Sequence, residues 1–186
     1  MLCERGTEIL VPRPGFPLIQ PICHNLGVKI VHYNLIAEKE WDIDLADLRS
    51  KITTNTRAIL VNNPSNPCGS CFSEEHMREI LKLCDEVEIP LIADEVYYGL
   101  SYSEKFPFIP FADLTSTVPI ISCGALSKIY CLPGWRVGWM LVYNNSGYFD
   151  KILPNMHKLC MVQLHPNSLV MAALPKILSE VGQDHM

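Results

Sequence analysis

The chain has 186 residues, and 15 Lys+Arg against 20 Asp+Glu leave a formal net charge of −5. Its 48% hydrophobic and 19% charged residues exclude a globally disordered chain, and the acidic balance argues against nucleic acid as the main partner. No apolar run approaches the ~18–20 residues needed to span a bilayer, and residues 1–7 lack the basic start and apolar core of a signal peptide.

In chain order, Ile9-Leu10-Val11 reads as a short strand stopped by Pro12 and Pro14. A helix is predicted over roughly 17–26, closed by Gly27, although Pro21 falls inside it. Residues 28–33 alternate as a strand. Asp44 is placed to cap a helix over 44–52 that repeats Leu45, Leu48 and Ile52. Ala58-Ile59-Leu60-Val61 is a continuous apolar run ending at Asn62-Asn63-Pro64, the pattern of a strand buried on both faces of a parallel sheet. Ser73 caps the clearest helix, with Glu74 and Glu75 in its first turn. Met77, Ile80, Leu81, Cys84 and Val87 follow at helical spacing, and Pro90 closes it. Further strands are predicted at 91–93, ending at Asp94, at 120–123 and at 137–142. A helix is predicted over about 167–181, kinked at Pro175.

Strands alternating with helices predict an α/β domain, three layers deep, around a mostly parallel sheet. Ligands of such sheets collect at the carboxyl ends of strands. Three polar segments sit there: Asn62 to Gly69, Asp94 to Gly99, and Gly124 to Lys128 followed by Leu132 to Gly138. They bring a lysine, an aspartate, a tyrosine, an asparagine and an arginine to one sheet edge. A pyridoxal 5′-phosphate site needs this set. An amine condenses with the aldehyde, a carboxylate faces the pyridine nitrogen, neutral donors face the ring oxygen, and a guanidinium fork meets the phosphate.

Pro12-Arg13-Pro14-Gly15-Phe16-Pro17, Asn62-Asn63-Pro64-Ser65-Asn66-Pro67-Cys68-Gly69, Ala93-Asp94-Glu95-Val96-Tyr97 and Leu132-Pro133-Gly134-Trp135-Arg136-Val137-Gly138-Trp139 carry a resemblance. The chain resembles the fold-type I, class I/II aminotransferases, within them the tyrosine aminotransferase branch, over nearly its whole length and less strongly after Asn144. The resemblance implies that Lys128 is the Schiff-base lysine. It implies that Arg136 binds the cofactor phosphate, that Asp94 pairs with the pyridine nitrogen, that Tyr97 and Asn66 contact the ring oxygen, and that Phe16 stacks on the ring. Ala125 stands where the family often has Ser or Gly, and Cys131 where another small or aliphatic residue is usual.

The implied reaction is ping-pong transamination between an L-amino acid, aromatic in the tyrosine branch, and a 2-oxo acid such as 2-oxoglutarate. The implied assembly is a homodimer and the implied compartment the cytoplasm, with the mitochondrion open. Family subunits are near twice this length. Residues 1–186 therefore read as the central part of the large, cofactor-binding domain, without its N-terminal segment and without the small domain that supplies the substrate-carboxylate arginine. The expectation is weak cofactor binding, poor turnover and exposed apolar surface. Two alternatives stay open: a C–S lyase on the same scaffold, and an inactive fragment acting at most in interaction.

Eight cysteines without a secretory signal read as reduced thiols and small core residues. Cys68-Gly69-Ser70-Cys71, with His76 nearby, lacks the second ligand pair of a structural zinc site. Asn144-Asn145-Ser146 matches a glycosylation sequon but reads as a turn. No G-x-G-x-x-G occurs.

Overall fold

The structure is a computed structural model that describes residues 2–162 and 165–180. The strands are β1 (Glu8–Arg13), β2 (Lys29–Ile36), β3 (Asp42–Ile43), β4 (Thr56–Asn62), β5 (Leu91–Asp94), β6 (Ile120–Ala125) and β7 (Gly138–Tyr143). The α-helices are α1 (Ile19–Leu26), α2 (Leu45–Ser50), α3 (Glu74–Glu86), α4 (Leu126–Ile129), α5 (Leu153–Cys160) and α6 (Ser168–Glu180).

The strands form one sheet in the order β3-β2-β1-β4-β5-β6-β7. The five inner strands run parallel, and β3 and β7 are antiparallel at the two edges. One face carries Leu10, Ile59, Val61, Leu91, Ala93 and Ile120 against Leu48 of α2 and Met77, Ile80 and Leu81 of α3. The opposite face carries Ile9, Val11, Ala58, Leu60 and Ile92 against Ile19 and Cys23 of α1. Further along that face, Ile121, Cys123 and Val142 meet Phe149 and Met156. This is the three-layer α/β arrangement expected from the alternating pattern.

The local signals that define the elements are visible in the structure. Asp44 accepts a hydrogen bond from Asp47 N–H at the start of α2, and Ser73 accepts one from His76 N–H at the start of α3. Gly27 closes α1 at φ 69°, a left-handed conformation that glycine adopts without a Cβ penalty. Pro21 lies in the first turn of α1, where the N–H it lacks has no intrahelical acceptor. Residues 144–150 form the turn read at the sequon.

Several strands run past their expected ends: β2 reaches Ile36 rather than 33, β6 reaches Ala125 rather than 123, and β1 passes its expected stop. β1 does not stop at Pro12 but continues to Arg13, paired in register with Asn34 of β2. Its pairing with β4 covers only Glu8 to Leu10, so beyond Leu10 there is no ladder on that side for a proline to interrupt. Three short elements, β3, α4 and α5, have no counterpart in the sequence reading. Two or four residues are too few to show a period, and α5 opens on Leu153-Pro154. The last helix is observed with Pro175 inside it, and its expected end at Val181 lies outside the described residues.

No helix among the described residues is long and apolar enough to cross a membrane. Trp139, Met140 and Leu141 of the edge strand β7 are exposed, as are Leu18, Ile22 and Leu26 around α1.

Burial separates the thiols. Cys84 is fully buried and its pKa is pushed up to about 12. Cys123 is pushed up to about 11, first by burial and then by the nearby Asp94 and Glu95 carboxyls. Cys131 and Cys160 are exposed. Because the thiolate is the reactive form, iodoacetamide at pH 8 should label Cys131 and Cys160 first and leave Cys84 untouched until unfolding. Peptide mass mapping reads this directly, and equal labelling rates at Cys84 and Cys131 would contradict it.

Candidate active site

The carboxyl ends of the inner strands converge on one region. Asn62 and Asp94 are register partners at the ends of β4 and β5, on the face that carries α1. The Asp94 carbonyl accepts two hydrogen bonds, one from the Asn62 side-chain amide at 3.0 Å and one from Asn63 N–H at 3.1 Å. The turn that follows β4 folds back on itself. Gly69 N–H donates to the Ser65 carbonyl at 2.9 Å, and Ser65 N–H donates to the Ser70 carbonyl at 2.8 Å. Asn62 Oδ1 accepts from Asn66 N–H at 2.6 Å, and Asn63 Oδ1 accepts from Phe72 N–H at 2.9 Å.

This turn presents Asn66 toward the segment after β5. Asn66 Nδ2 donates to the Tyr97 hydroxyl at 3.1 Å. Tyr97 lies in a hydrogen-bonded turn rather than a helix, with Tyr98 N–H bonded to the Glu95 carbonyl at 2.9 Å. The Lys128 ammonium stands 5.5 Å from the Tyr97 ring centroid, within reach of a cation–π contact. Lys128 is exposed and sits on the single turn α4 directly after β6. The structure thus brings Asn66, Tyr97 and Lys128 together from three strand ends.

Asp94 and Phe16 meet at a cavity of about 370 Å³, whose floor includes Val11, Leu60, Asn62 and Asp94 and whose other wall includes Phe16 and Ile19. Phe16 is 51% exposed at its margin. Burial raises the Asp94 pKa above the ordinary carboxylate value, opposed only by a long hydrogen bond of 3.4 Å from Val96 N–H. A carboxyl desolvated in this way and short of donors is set to accept a charged N–H. His32 lines the same cavity, and its buried Nδ1 has no hydrogen-bond partner among the described residues.

Arg136 is not brought against the other candidates. Its guanidinium donates to the Pro133 carbonyl at 3.0 Å, it is exposed, and no carboxylate pairs with it among the described residues. Its backbone nevertheless lies beside the lysine turn, because Leu126 N–H bonds to the Val137 carbonyl at 3.2 Å and Ala125 pairs with Gly138. Arg136 holds φ 54°, a conformation uncommon outside glycine. On the same hairpin, a Cβ at Gly124 would come within 2.5 Å of the Trp139 indole nitrogen, so only glycine lets the indole lie flat on β6.

Two residues at this end of the sheet carry no role in the sequence reading. Asn62 was visible only as a turn-entry residue; its link to Asp94 depends on strand register. Glu95 is buried, accepts from Phe111 N–H at 2.9 Å and from the Ser122 hydroxyl, and ties the following loop to β6. Near the Cys68–Cys71 stretch, His76 Nε2 accepts from Ile43 N–H at 2.9 Å, a bond that joins β3 to α3. Among the described residues, no three metal-type side chains gather into a cluster.

Comparison with known proteins identifies the family and the fold. The family model for aminotransferase class I and II matches residues 1–185. A tyrosine aminotransferase from Dictyostelium discoideum is 43% identical over 180 residues, which cover 96% of this chain and 43% of that protein. Cystine lyase CORI3 from Arabidopsis thaliana is 34% identical over 99% of this chain and 44% of its own length. The crystal structure of tyrosine aminotransferase from Leishmania infantum superposes with a TM-score of 0.91 at 32% identity, over 98% of this chain and 49% of that one. The chain spans less than half the length of the curated relatives it matches. From the strand-end residues to the sheet that carries them, this chain belongs to the aminotransferase class I and II family.

Proposed function

We propose that this chain is the cofactor-holding part of a pyridoxal 5′-phosphate-dependent aminotransferase. The proposed donor is an aromatic, tyrosine-like L-amino acid, and the proposed acceptor a 2-oxo acid such as 2-oxoglutarate. Residues 1–186 would form the central part of the large domain, in a subunit that works as a homodimer. The observation that carries this reading is the convergence of Lys128, Tyr97 and Asn66 beside the cavity of Asp94 and Phe16.

The residues present fit the cofactor. The Asp94 carboxyl is desolvated and accepts one long backbone hydrogen bond, which leaves it open to a pyridinium N–H. Asn66 and Tyr97 form a neutral pair suited to the ring oxygen. Among the described residues no carboxylate pairs with Arg136, which keeps donors for a phosphate. Phe16 offers an aromatic face at the cavity margin. When bound, the cofactor supplies an electron sink for breaking bonds at the amino acid α-carbon. Around it the chain's own groups divide the work. Lys128 would hold the ring aldehyde, and its amine would carry a proton to and from the substrate α-carbon. Asp94 would face the ring nitrogen and hold its proton in place. Tyr97 and Asn66 hold the ring oxygen, and Phe16 limits water on one face.

The test is cofactor titration of the chain, followed by borohydride reduction and peptide mapping. A visible band and a pyridoxyl mass on the peptide containing Lys128 are expected. Label spread over surface lysines, or none, would overturn the reading. A C–S lyase is the second reading, favoured by the cystine lyase relative. Release of pyruvate and ammonia without amino-group exchange would select it.

A further inference from the structure

We propose that Asn62 is a positioning residue that locks the Asn66–Tyr97 pair to the end of β5, and so sets the cofactor's ring-oxygen contact without touching that oxygen itself. This rests on the functional reading above.

Asn62 is buried, and both ends of its side-chain amide are used, one within its own turn and one across to β5. Its Oδ1 accepts from Asn66 N–H at 2.6 Å, and its Nδ2 donates to the Asp94 carbonyl at 3.0 Å. The first bond fixes the backbone of the residue whose side chain reaches Tyr97, and the second fixes the backbone of the residue three before Tyr97. Asn66 Nδ2 then closes the loop on the Tyr97 hydroxyl at 3.1 Å. The chain of contacts Tyr97–Asn66–Asn62–Asp94 therefore joins two strand ends through one amide. The Asn66 turn is otherwise anchored by bonds within itself and by Asn63 to Phe72 and to the Asp94 carbonyl. Asn62 is the residue that bonds both to Asn66 and to the strand carrying Asp94. An amide suits the position because it has a donor and an acceptor, one for each side. A carboxylate would keep the acceptor for Asn66 N–H but set a negative oxygen against the Asp94 carbonyl. A leucine would fill the space, leave Asn66 N–H without its acceptor and remove one of the two donors to the Asp94 carbonyl.

The tests separate this role from simple support of the fold. In the cofactor-free chain, amide hydrogen exchange at Asn66 should accelerate at least about tenfold in Asn62→Ala and stay near wild type in Asn62→Asp, which keeps the acceptor. Unchanged exchange in Asn62→Ala overturns the proposal. With cofactor, Asn62→Ala should weaken binding by about tenfold and shift the pH midpoint of the visible band. In an Asn66→Ala background the same substitution should add almost nothing, since a residue acting through Asn66 loses its effect when Asn66 is gone. Additive losses in the double variant would mean that Asn62 only supports the fold, which overturns the proposal. A wild-type chain with no saturable visible band sinks the functional reading instead; the exchange experiment still decides whether Asn62 holds Asn66.

Discussion

Lys128→Ala should eliminate covalent cofactor trapping and lower amino-group exchange by at least about 10³-fold relative to the wild-type chain, the scale expected when one group both holds the reacting centre and moves the proton. The effect is large because, among the described residues, no other lysine is placed against the ring of Tyr97. Lys128 is the lysine that stands over the Tyr97 ring, whereas Lys29, Lys51 and Lys105 are engaged with Glu8, Asp47 and Glu40. The fold should tolerate the change, since Lys128 is exposed on α4 while its neighbours Leu126 and Ile129 hold that turn in the core. Thermal unfolding of the cofactor-free variant within a degree or two of wild type is therefore expected. Retention of the visible band and of exchange activity by Lys128→Ala would exclude Lys128 from the chemistry. A variant that fails to fold would be distinguished by its melting curve, and Lys128→Arg, which keeps the charge but not the condensing amine, then repeats the test.

Asp94→Asn should have opposite effects on binding and on stability. Cofactor affinity should fall by about 10²- to 10³-fold, because a buried charge partner for the ring nitrogen is removed. Stability of the cofactor-free chain should rise at the high end of the pH range. Burial raises the Asp94 pKa in the folded state above its ordinary value of 3.8. A carboxyl whose folded pKa is raised favours the fold fully below the unfolded value, and that contribution is lost as pH climbs through the folded value. Above that folded value the wild-type chain carries a desolvated carboxylate that asparagine does not. The melting temperatures of the two chains should differ most at the high end of the pH range, with the variant higher, and converge as pH falls and Asp94 takes up its proton. A variant less stable than wild type across the whole range would show that burial of this charge does not oppose folding. The paired outcome is what is expected of a residue held at a cost to stability for the sake of a ligand.

Glu95, the next residue, shows why neighbouring acids are not equivalent. It too has a raised pKa from burial, but it accepts from the Ser122 hydroxyl and from Phe111 N–H, so both its oxygens are engaged within the protein. Asp94 faces the cavity with spare acceptor capacity; Glu95 ties a loop to β6. Alternation along an extended segment puts adjacent side chains on opposite faces, and here it separates a residue for the ligand from one for the fold.

Local patterns carried much of this in the sequence itself. Apolar runs at 58–61, 91–93 and 120–123 ended in polar residues, and those ends are where the candidate site lies. Capping by Asp44 and Ser73 was readable because a side-chain acceptor three residues before a free N–H is a local interaction. The identities of Lys128, Asp94, Tyr97, Asn66, Arg136 and Phe16 were likewise present as motif letters. What those letters could not contain was contact between segments. The bond from Asn66 to Tyr97 spans 31 positions, and the one from Asn62 to Asp94 spans 32. Both depend on β4 and β5 pairing in one register, which a one-residue slip would destroy.

Chain composition and spacing thus determined an α/β domain with a set of chemistry-bearing residues at its strand ends, because burial period and turn chemistry act over a few residues. Tertiary structure alone decided three further things. Pro12 stays inside β1, because the β1–β4 ladder ends at Leu10. The desolvation of Asp94 is a property of the layers packed around it. Asn62 joins two strand ends because parallel pairing sets it beside Asp94. Each is an effect of neighbours distant in sequence, and no local pattern encodes them.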